Sequence, residues 1–307
     1  MRKTAFLVSL AALVFLSFIS LRINNKSPLA EGPIEVFNSS FDNIDFSSEI
    51  SSPDAVSNEP APVSSSAVES ASQSSYDRLR SWGLKRNDKN MPPEVDPGAP
   101  ELLAKYNAYY IGDTSEKVVY LTFDEGYENG YTPRILDTLK RHNVKAAFFI
   151  TGPYLKEHQD LARRMVEEGH TVGNHTVNHP SLPTLSNEKI EEEVVNLDRV
   201  FYEKFGKHMK FLRPPKGEYS ERTLDVTSKL GYVNLFWSFA YDDWYTNRQR
   251  GSSYAYEKVM NNLHNGAVLL LHAVSKDNAD ALDSIIKDTK AKGYRFGSIE
   301  ELIEKEN

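Results

Sequence analysis

From Val118 onward, short apolar runs bounded by turn residues alternate with stretches whose apolar positions recur every three or four residues. The runs are VVYLTFD (118–124), AAFFITG (146–152), HTVGNHT (170–176), FLRPP (211–215), VNLFWSF (233–239), GAVLLLH (266–272) and YRFGSI (294–299). Continuous apolar runs of this length suit strands covered on both faces, with neighbours reached through crossover helices. Between them lie TPRILDTLKRHN, HQDLARRMVEEG, NEKIEEEVVNLDRVFYEKFG, SERTLDVTSKLG, SYAYEKVMNNLHNG and NADALDSIIKDTKAKG. Several of these open near Ser, Thr or Asn and close on Gly or Asn, the residues that cap helix starts and ends. Seven strands in strict alternation with helices predict an α/β fold with a parallel sheet, closed as a barrel or wound open.

Before Val118 the pattern is different. Arg2 and Lys3 precede an uncharged apolar stretch from Ala5 to Leu21, and Arg22 and Lys26 follow it. That arrangement is a signal peptide or signal anchor over residues 1–26. The stretch is long for a cleaved signal, and no small-x-small cleavage site follows it directly, which favours an uncleaved membrane anchor. Either way the remainder is expected outside the cytoplasm. Residues 27–76 are rich in Ser, Pro and acids, with no helix or strand period, and read as a flexible, self-repelling linker. Residues 77–117 form a lead-in whose Trp82, Leu84, Leu102, Leu103, Tyr106, Tyr109 and Tyr110 are expected to pack on the edge of a catalytic domain spanning 118–305.

Charge changes the picture only locally. The formal net charge is -7, but nine acidic residues and no Lys or Arg lie between Lys26 and Arg78, so the folded part is close to neutral. No basic patch points to nucleic acid. The chain has no cysteine, which excludes disulfides, thiol catalysis and thiolate metal sites.

Where the polar residues fall points to chemistry. Asp124, His175, Arg213 and His272 stand at or just past the C-terminal ends of predicted strands, and Asp243 follows one by four residues. That edge is where parallel α/β folds build their sites. His175 and His179 have the spacing of a metal-binding pair. Glu125 is the expected third ligand of a divalent ion with positions left open for water and substrate. Asp124 is then free to act as base toward water, with Arg213 to orient it. The stiff RPPKG turn offers the backbone N–H of Lys216 to a developing oxyanion. His272 is the candidate general acid, and Asp243 the carboxylate that keeps it protonated. Tyr127 and Asn129, with Glu128 and Tyr131, read as a substrate-facing loop or as a plain helix lead-in. The histidines at 142, 158, 170, 208 and 264 read as solvated. Together these groups suit hydrolysis of an amide or ester.

The motifs TFDEG, HTVNHP, RPPKG, DDW and LLLH, in this order on strand ends, resemble the polysaccharide deacetylase family, the NodB-homology domain of carbohydrate esterase family four. The extended DEGYENGYT and RPPKGEYSE segments are most similar to its delta-lactam-biosynthetic de-N-acetylases from spore formers. The resemblance implies a distorted (β/α)7 barrel and removal of the acetyl group from N-acetylmuramic acid in spore-cortex peptidoglycan, a step toward muramic delta-lactam. It implies Asp124 as base, His175 and His179 as metal ligands, Arg213 as the residue positioning the base, and Asp243 as partner of the acid His272. It also implies that Trp244 and Leu270 line an acetyl pocket. The expected cofactor is a divalent ion, with zinc foremost, and the expected partner is the glycan strand of peptidoglycan. Two positions depart from the pattern: Glu125 replaces the usual second Asp, and Lys216 replaces an aromatic. Two other functions compete: deacetylation of N-acetylglucosamine in peptidoglycan, chitin or a biofilm glycan, and a non-catalytic glycan-binding module.

Overall fold

A computed structural model describes residues 75–86 and 89–304. The signal peptide or anchor at 1–26 and almost all of the 27–76 linker lie outside the described residues. The strands are β1 (Arg80–Ser81), β2 (Val118–Glu125), β3 (Ala147–Ile150), β4 (Thr171–Asn174), β5 (Phe211–Leu212), β6 (Glu218–Tyr219), β7 (Val233–Asn234), β8 (Ala267–His272) and β9 (Arg295–Gly297). The helices are α1 (Ala99–Lys105), α2 (Thr132–His142), α3 (Gly152–Glu157), α4 (Gln159–Glu167), α5 (Asn187–Phe205), α6 (Glu221–Lys229), α7 (Ser252–Asn261), α8 (Lys276–Ala291) and α9 (Glu301–Glu304). Each of the seven predicted runs holds one strand, and each of the six periodic stretches holds one helix.

The main sheet runs in the order β7-β5-β4-β3-β2-β8, with β9 added beside the start of β2. All of its pairings are parallel. Every residue of β2 is buried, as a central strand covered on both faces requires. The run 233–239 curls the sheet. Leu235 N–H donates to the Leu212 carbonyl at 2.8 Å beside β5, whereas Leu270 N–H of β8 donates to the Phe239 carbonyl at 2.8 Å. One segment thus begins as edge strand β7, paired with β5, and ends against β8 at the opposite edge, giving a curled half-barrel with its edges drawn together. The expectation of a solvated His264 fails here. Its buried ring reaches Ser238 Oγ at 2.8 Å through Nε2, and the same Oγ accepts from Val268 N–H at 3.0 Å. Polar atoms inside a closing seam need partners, and this imidazole supplies one. His170 is buried as well, accepting from Ala146 N–H at 3.2 Å.

Helix ends follow the capping residues. Ser186 Oγ accepts from Lys189 N–H before α5, Gly206 ends that helix at φ 64°, and Ser220 with Thr223 forms a reciprocal capping box at α6. In the lead-in, β1 pairs antiparallel with β6, joining Arg80 to Tyr219 and Ser81 to Glu218. Trp82 is buried among Leu103, Tyr219, Leu224 and Phe236, and its Nε1–H donates to the Trp237 carbonyl at 2.9 Å. This small sheet was not expected, because two-residue strands leave no periodic trace.

Gly173 on β4 stands opposite Phe149 of β3, and a Cβ there would lie 2.5 Å from the Phe149 ring. That ring in turn lies 4.2 Å beneath the guanidinium of Arg213. Gly173→Ala is therefore expected to cost about 2 kcal/mol through overpacking and to lower Tm by about 5 °C. An unchanged melting curve would show that Phe149 has room to shift.

Candidate active site

Asp124 lies near the end of β2, His175 directly follows β4, Arg213 directly follows β5, and His272 ends β8. The C-terminal edge of the sheet thus gathers all four. Asp124, His175 and His272 open on a cleft of about 900 Å³ also lined by His179, Lys216, Trp237, Trp244 and Leu270, with Arg213 buried behind them. Asp124 and His272 stand opposite each other in neighbouring strands.

Arg213 is fully buried. A guanidinium there must find acceptors, and it does. Nη1 donates to Asp124 Oδ1 at 2.7 Å and to Thr122 Oγ1 at 2.9 Å, and Nε donates to the Leu235 carbonyl at 3.1 Å. Burial pushes the Asp124 carboxyl upward, but Arg213, His175 and His272 outweigh it and hold the pKa below its ordinary value. Asp124 is an anion ready to accept a proton.

The histidine pair is built by a strained turn. Thr176 and His179 both have positive φ, 67° and 58°, rare for a β-branched residue and uncommon for any other. Glu193 of α5 holds the turn through its carboxylate, which accepts from Asn178 N–H and from Nδ2–H, each at 2.8 Å. The two rings meet edge to face with centroids 4.7 Å apart. His175 Nδ1–H donates to the Arg213 carbonyl at 2.9 Å, which leaves the Nε2 lone pair 3.5 Å from Asp124 Oδ2. Burial lowers both histidine pKa values, that of His179 to about 4. Two neutral imidazoles facing a carboxylate suit a divalent ion as two of its ligands.

Glu125 does not join them. Successive strand residues face opposite sides; Asp124 takes the cleft side, so Glu125 turns inward toward α2. It is fully buried, with both carboxylate oxygens 3.4 Å from Thr132 Oγ1. Burial, then the charge of Glu128, raise its pKa well above 4.5. Tyr154 OH and Glu128 Oε2 are buried without hydrogen-bond partners. Among the described residues no group of three His, Cys, Asp or Glu side chains forms a metal cage. The fit to a metal therefore extends to His175 and His179, with the remaining positions open to water and substrate.

On the other side of Asp124, His272 Nδ1 contacts Asp243 Oδ1 at 2.7 Å, and His272 N–H donates to Asp243 Oδ2 at 2.8 Å. Asn278 Nδ2 completes the carboxylate's shell at 2.5 Å, and Tyr241 OH holds Asn278. Burial pulls the His272 pKa down, and the Asp243 carboxylate more than offsets this, raising it above 6.5. Asp242, the alternative partner, pairs with Arg250 at 2.5 Å instead.

Of the remaining candidates, Tyr127, Lys216, Trp244 and Leu270 line the cleft. Asn129 does not: its Nδ2–H donates to the Val274 carbonyl at 3.0 Å, fastening its loop to the segment after β8. Arg86, Trp237 and Asn278 escaped the sequence reading. Asn278 reaches Asp243 across 35 residues, Arg86 reaches Ala240 across 154, and Trp237 is held by Trp82 across 155, so no local pattern marks them.

A polysaccharide deacetylase family model matches residues 111–235. The chain is 47% identical over 223 residues to peptidoglycan-N-acetylmuramic acid deacetylase PdaA of Bacillus subtilis, covering 72% of this chain and 85% of that protein. The chain belongs to the polysaccharide deacetylase family. It is also 51% identical over 223 residues to an uncharacterized 30.6 kDa protein of Geobacillus stearothermophilus, covering 72% of this chain and 84% of the relative. The solved structure of Bacillus subtilis PdaA, a family 4 carbohydrate esterase, superposes with a TM-score of 0.73 at 45% identity, covering 75% of this chain and 99% of that one. Family membership makes the protein a hydrolase of amide bonds. Deacetylases of this family are metal-dependent in general.

The inward position of Glu125 has a measurable consequence. An acid whose folded-state pKa is raised binds protons more tightly folded than unfolded, so stability falls as pH rises above about 4.5. Glu125→Gln removes that loss. Its Tm should match the wild type near pH ~4 and exceed it by about 3 °C at pH ~8, with zinc affinity unchanged within about twofold. A large loss of zinc affinity would return Glu125 to the metal.

Proposed function

We propose that the protein removes the acetyl group from N-acetylmuramic acid in peptidoglycan, outside the cytoplasm, with residues 118–305 as its catalytic domain. The observation that carries this reading is the pairing of two opposed acid–base devices on neighbouring strands: Asp124 held as an anion by Arg213, and His272 held as a cation by Asp243. Amide hydrolysis needs both at once. The likeness to PdaA supports the sugar, and the DEGYENGYT and RPPKGEYSE segments are the ground on which we assign it a place in spore-cortex maturation leading to muramic delta-lactam. The wall-facing location fits an exported chain tethered or released according to the fate of residues 1–26. No helix among the described residues is long and apolar enough to cross a membrane, and that segment lies outside them.

In this mechanism Asp124 takes a proton from water as the water oxygen adds to the acetamide carbonyl carbon. Arg213 keeps the carboxylate aimed and ionised. The backbone N–H of Lys216, on the cleft wall, is assigned to the oxyanion. The C–N bond then breaks as His272 Nε2 gives its proton to the leaving amine, yielding acetate and a free amino sugar. Trp244 packs edge-on to His272, with centroids 5.6 Å apart, and with Leu270 encloses the acetyl methyl. A divalent ion on His175 and His179, zinc in our assignment, supplies Lewis acidity toward water and carbonyl when bound.

Acetate release from peptidoglycan, with mass analysis locating the new amine, tests the assignment. An amine on glucosamine instead of muramic acid would overturn the sugar. Asp124→Asn should lower kcat about 10³-fold; it also leaves Arg213 buried without its counter-ion, so Tm should fall while the protein stays folded at 25 °C. Retention of more than a tenth of the activity would reject Asp124 as base.

The pH profile tests His272. Its protonated form is the active one, so activity is lost as pH rises through its raised pKa. Asp243→Asn removes the stabilising carboxylate and should move the alkaline limb toward acid by about one pH unit. An unmoved limb would assign it to another group.

A further inference from the structure

The charges on the cleft wall do not balance. Asp124 is neutralised by Arg213, and Asp242 by Arg250. The two cations that line the same cleft, Lys216 and Arg86, have no carboxylate partner among the described residues. Arg86 donates only to the Ala240 carbonyl, at 3.2 Å. Lys216 is exposed and lies close enough to His179 for its charge to depress that imidazole's basicity.

Both cations are carried on fixed backbone. Lys216 has φ 59°, a left-handed conformation that costs a non-glycine residue about 1 kcal/mol. It is flanked by Pro215 and by Gly217, where a Cβ would lie 2.7 Å from Trp237. Trp82 N–H donates to the Gly217 carbonyl at 2.8 Å, so the lead-in is stitched to the Lys216 turn. The lead-in then reaches Lys85, which exchanges two backbone hydrogen bonds with Glu94 at 2.9 and 3.0 Å. Arg86 is the next residue, and it falls on the cleft.

Resting on the deacetylase reading above, we propose that Lys216 and Arg86 are specificity residues that bind the carboxylate of the muramic lactyl ether. Muramic acid differs from glucosamine by that ether, borne on the ring carbon next to the one carrying the acetamide. A sugar placed with its acetamide at Asp124 and His272 therefore presents its carboxyl to the walls of the same cleft. Two cations without protein counter-ions favour that anion through charge-assisted hydrogen bonds. They give no such advantage to glucosamine or to a lactyl group whose carboxyl is blocked as an amide.

The test compares the full chain on one muramyl glycan in two forms, with the lactyl carboxyl free and with it converted to a methylamide. The wild type should prefer the free acid by about tenfold in kcat/KM, mostly through KM, and the preference should shrink as salt is added. In the Lys216→Gln, Arg86→Gln double variant the ratio should fall to within about twofold of one, whereas Lys216→Arg should keep most of it. Equal turnover of both forms by the wild type, or an undiminished ratio in the double variant, would overturn the proposal while leaving the deacetylase reading standing. Should neither form be deacetylated, the functional reading fails. Calorimetric binding of the free and methylamide muramyl disaccharides to wild type and double variant then decides the cation pair alone, a shared preference in both proteins refuting it.

Discussion

A guanidinium with no exposed surface is the constraint around which the site is arranged. Desolvating Arg213 is costly, and one carboxylate would not satisfy five donors. The fold answers with oxygens from separate segments: Asp124 and Thr122 from β2, and the Leu235 carbonyl just past β7, with the Phe149 ring of β3 beneath the plane. The Arg213 carbonyl then fixes the His175 tautomer. One side chain thus sets the ionisation of the base while its own backbone orients a metal-binding imidazole. Strands β2, β3 and β5 must keep register for either to hold, and Gly173 matters at a distance because it makes room for Phe149.

The neighbouring pair works by the opposite sign. Asp124 is kept deprotonated by cations, and His272, opposite it on β8, is kept protonated by Asp243. Each is poised for the proton movement that the other cannot make, and each also favours the other's charge. Glu125 would upset this balance if it faced the cleft as a second anion. Turned inward and held neutral by burial, it leaves a single negative charge at the strand tip.

The strands were legible because buried parallel strands are continuous apolar runs, and the helices because their period and caps are local. The rim residues were legible for a topological reason: polar groups ending apolar strands share one edge. Glu125 was misread through a single residue of strand length. A run ending at Asp124 frees the next side chain to swing toward the histidines; β2 continues through Glu125, and strict alternation then sends it to the other face. Asn129 was misread for a related reason, since its amide is taken by the Val274 carbonyl, a partner 145 residues away. Arg86 and Asn278 depend on packing between distant segments, which no spacing in the chain encodes.

That dependence on distant packing bears on how such a cleft acquires selectivity. The hydrolytic groups sit on strand ends, fixed by the sheet and by the Arg213 acceptors, so they tolerate little change. Residues 214–217 and the start of the lead-in, residues 80–86, lie outside the pairings of the main sheet, yet Trp82, Gly217 and β1 with β6 tie them to each other. A substitution at Lys216 or Arg86 alters the charge met by the substrate without touching the Asp124–Arg213 or His272–Asp243 pairs. Lys216 joins the two roles through different parts of one residue, its backbone N–H serving the oxyanion and its side chain the substrate's charge, so the side chain can change while the buried acid–base pairs and that N–H stay in place.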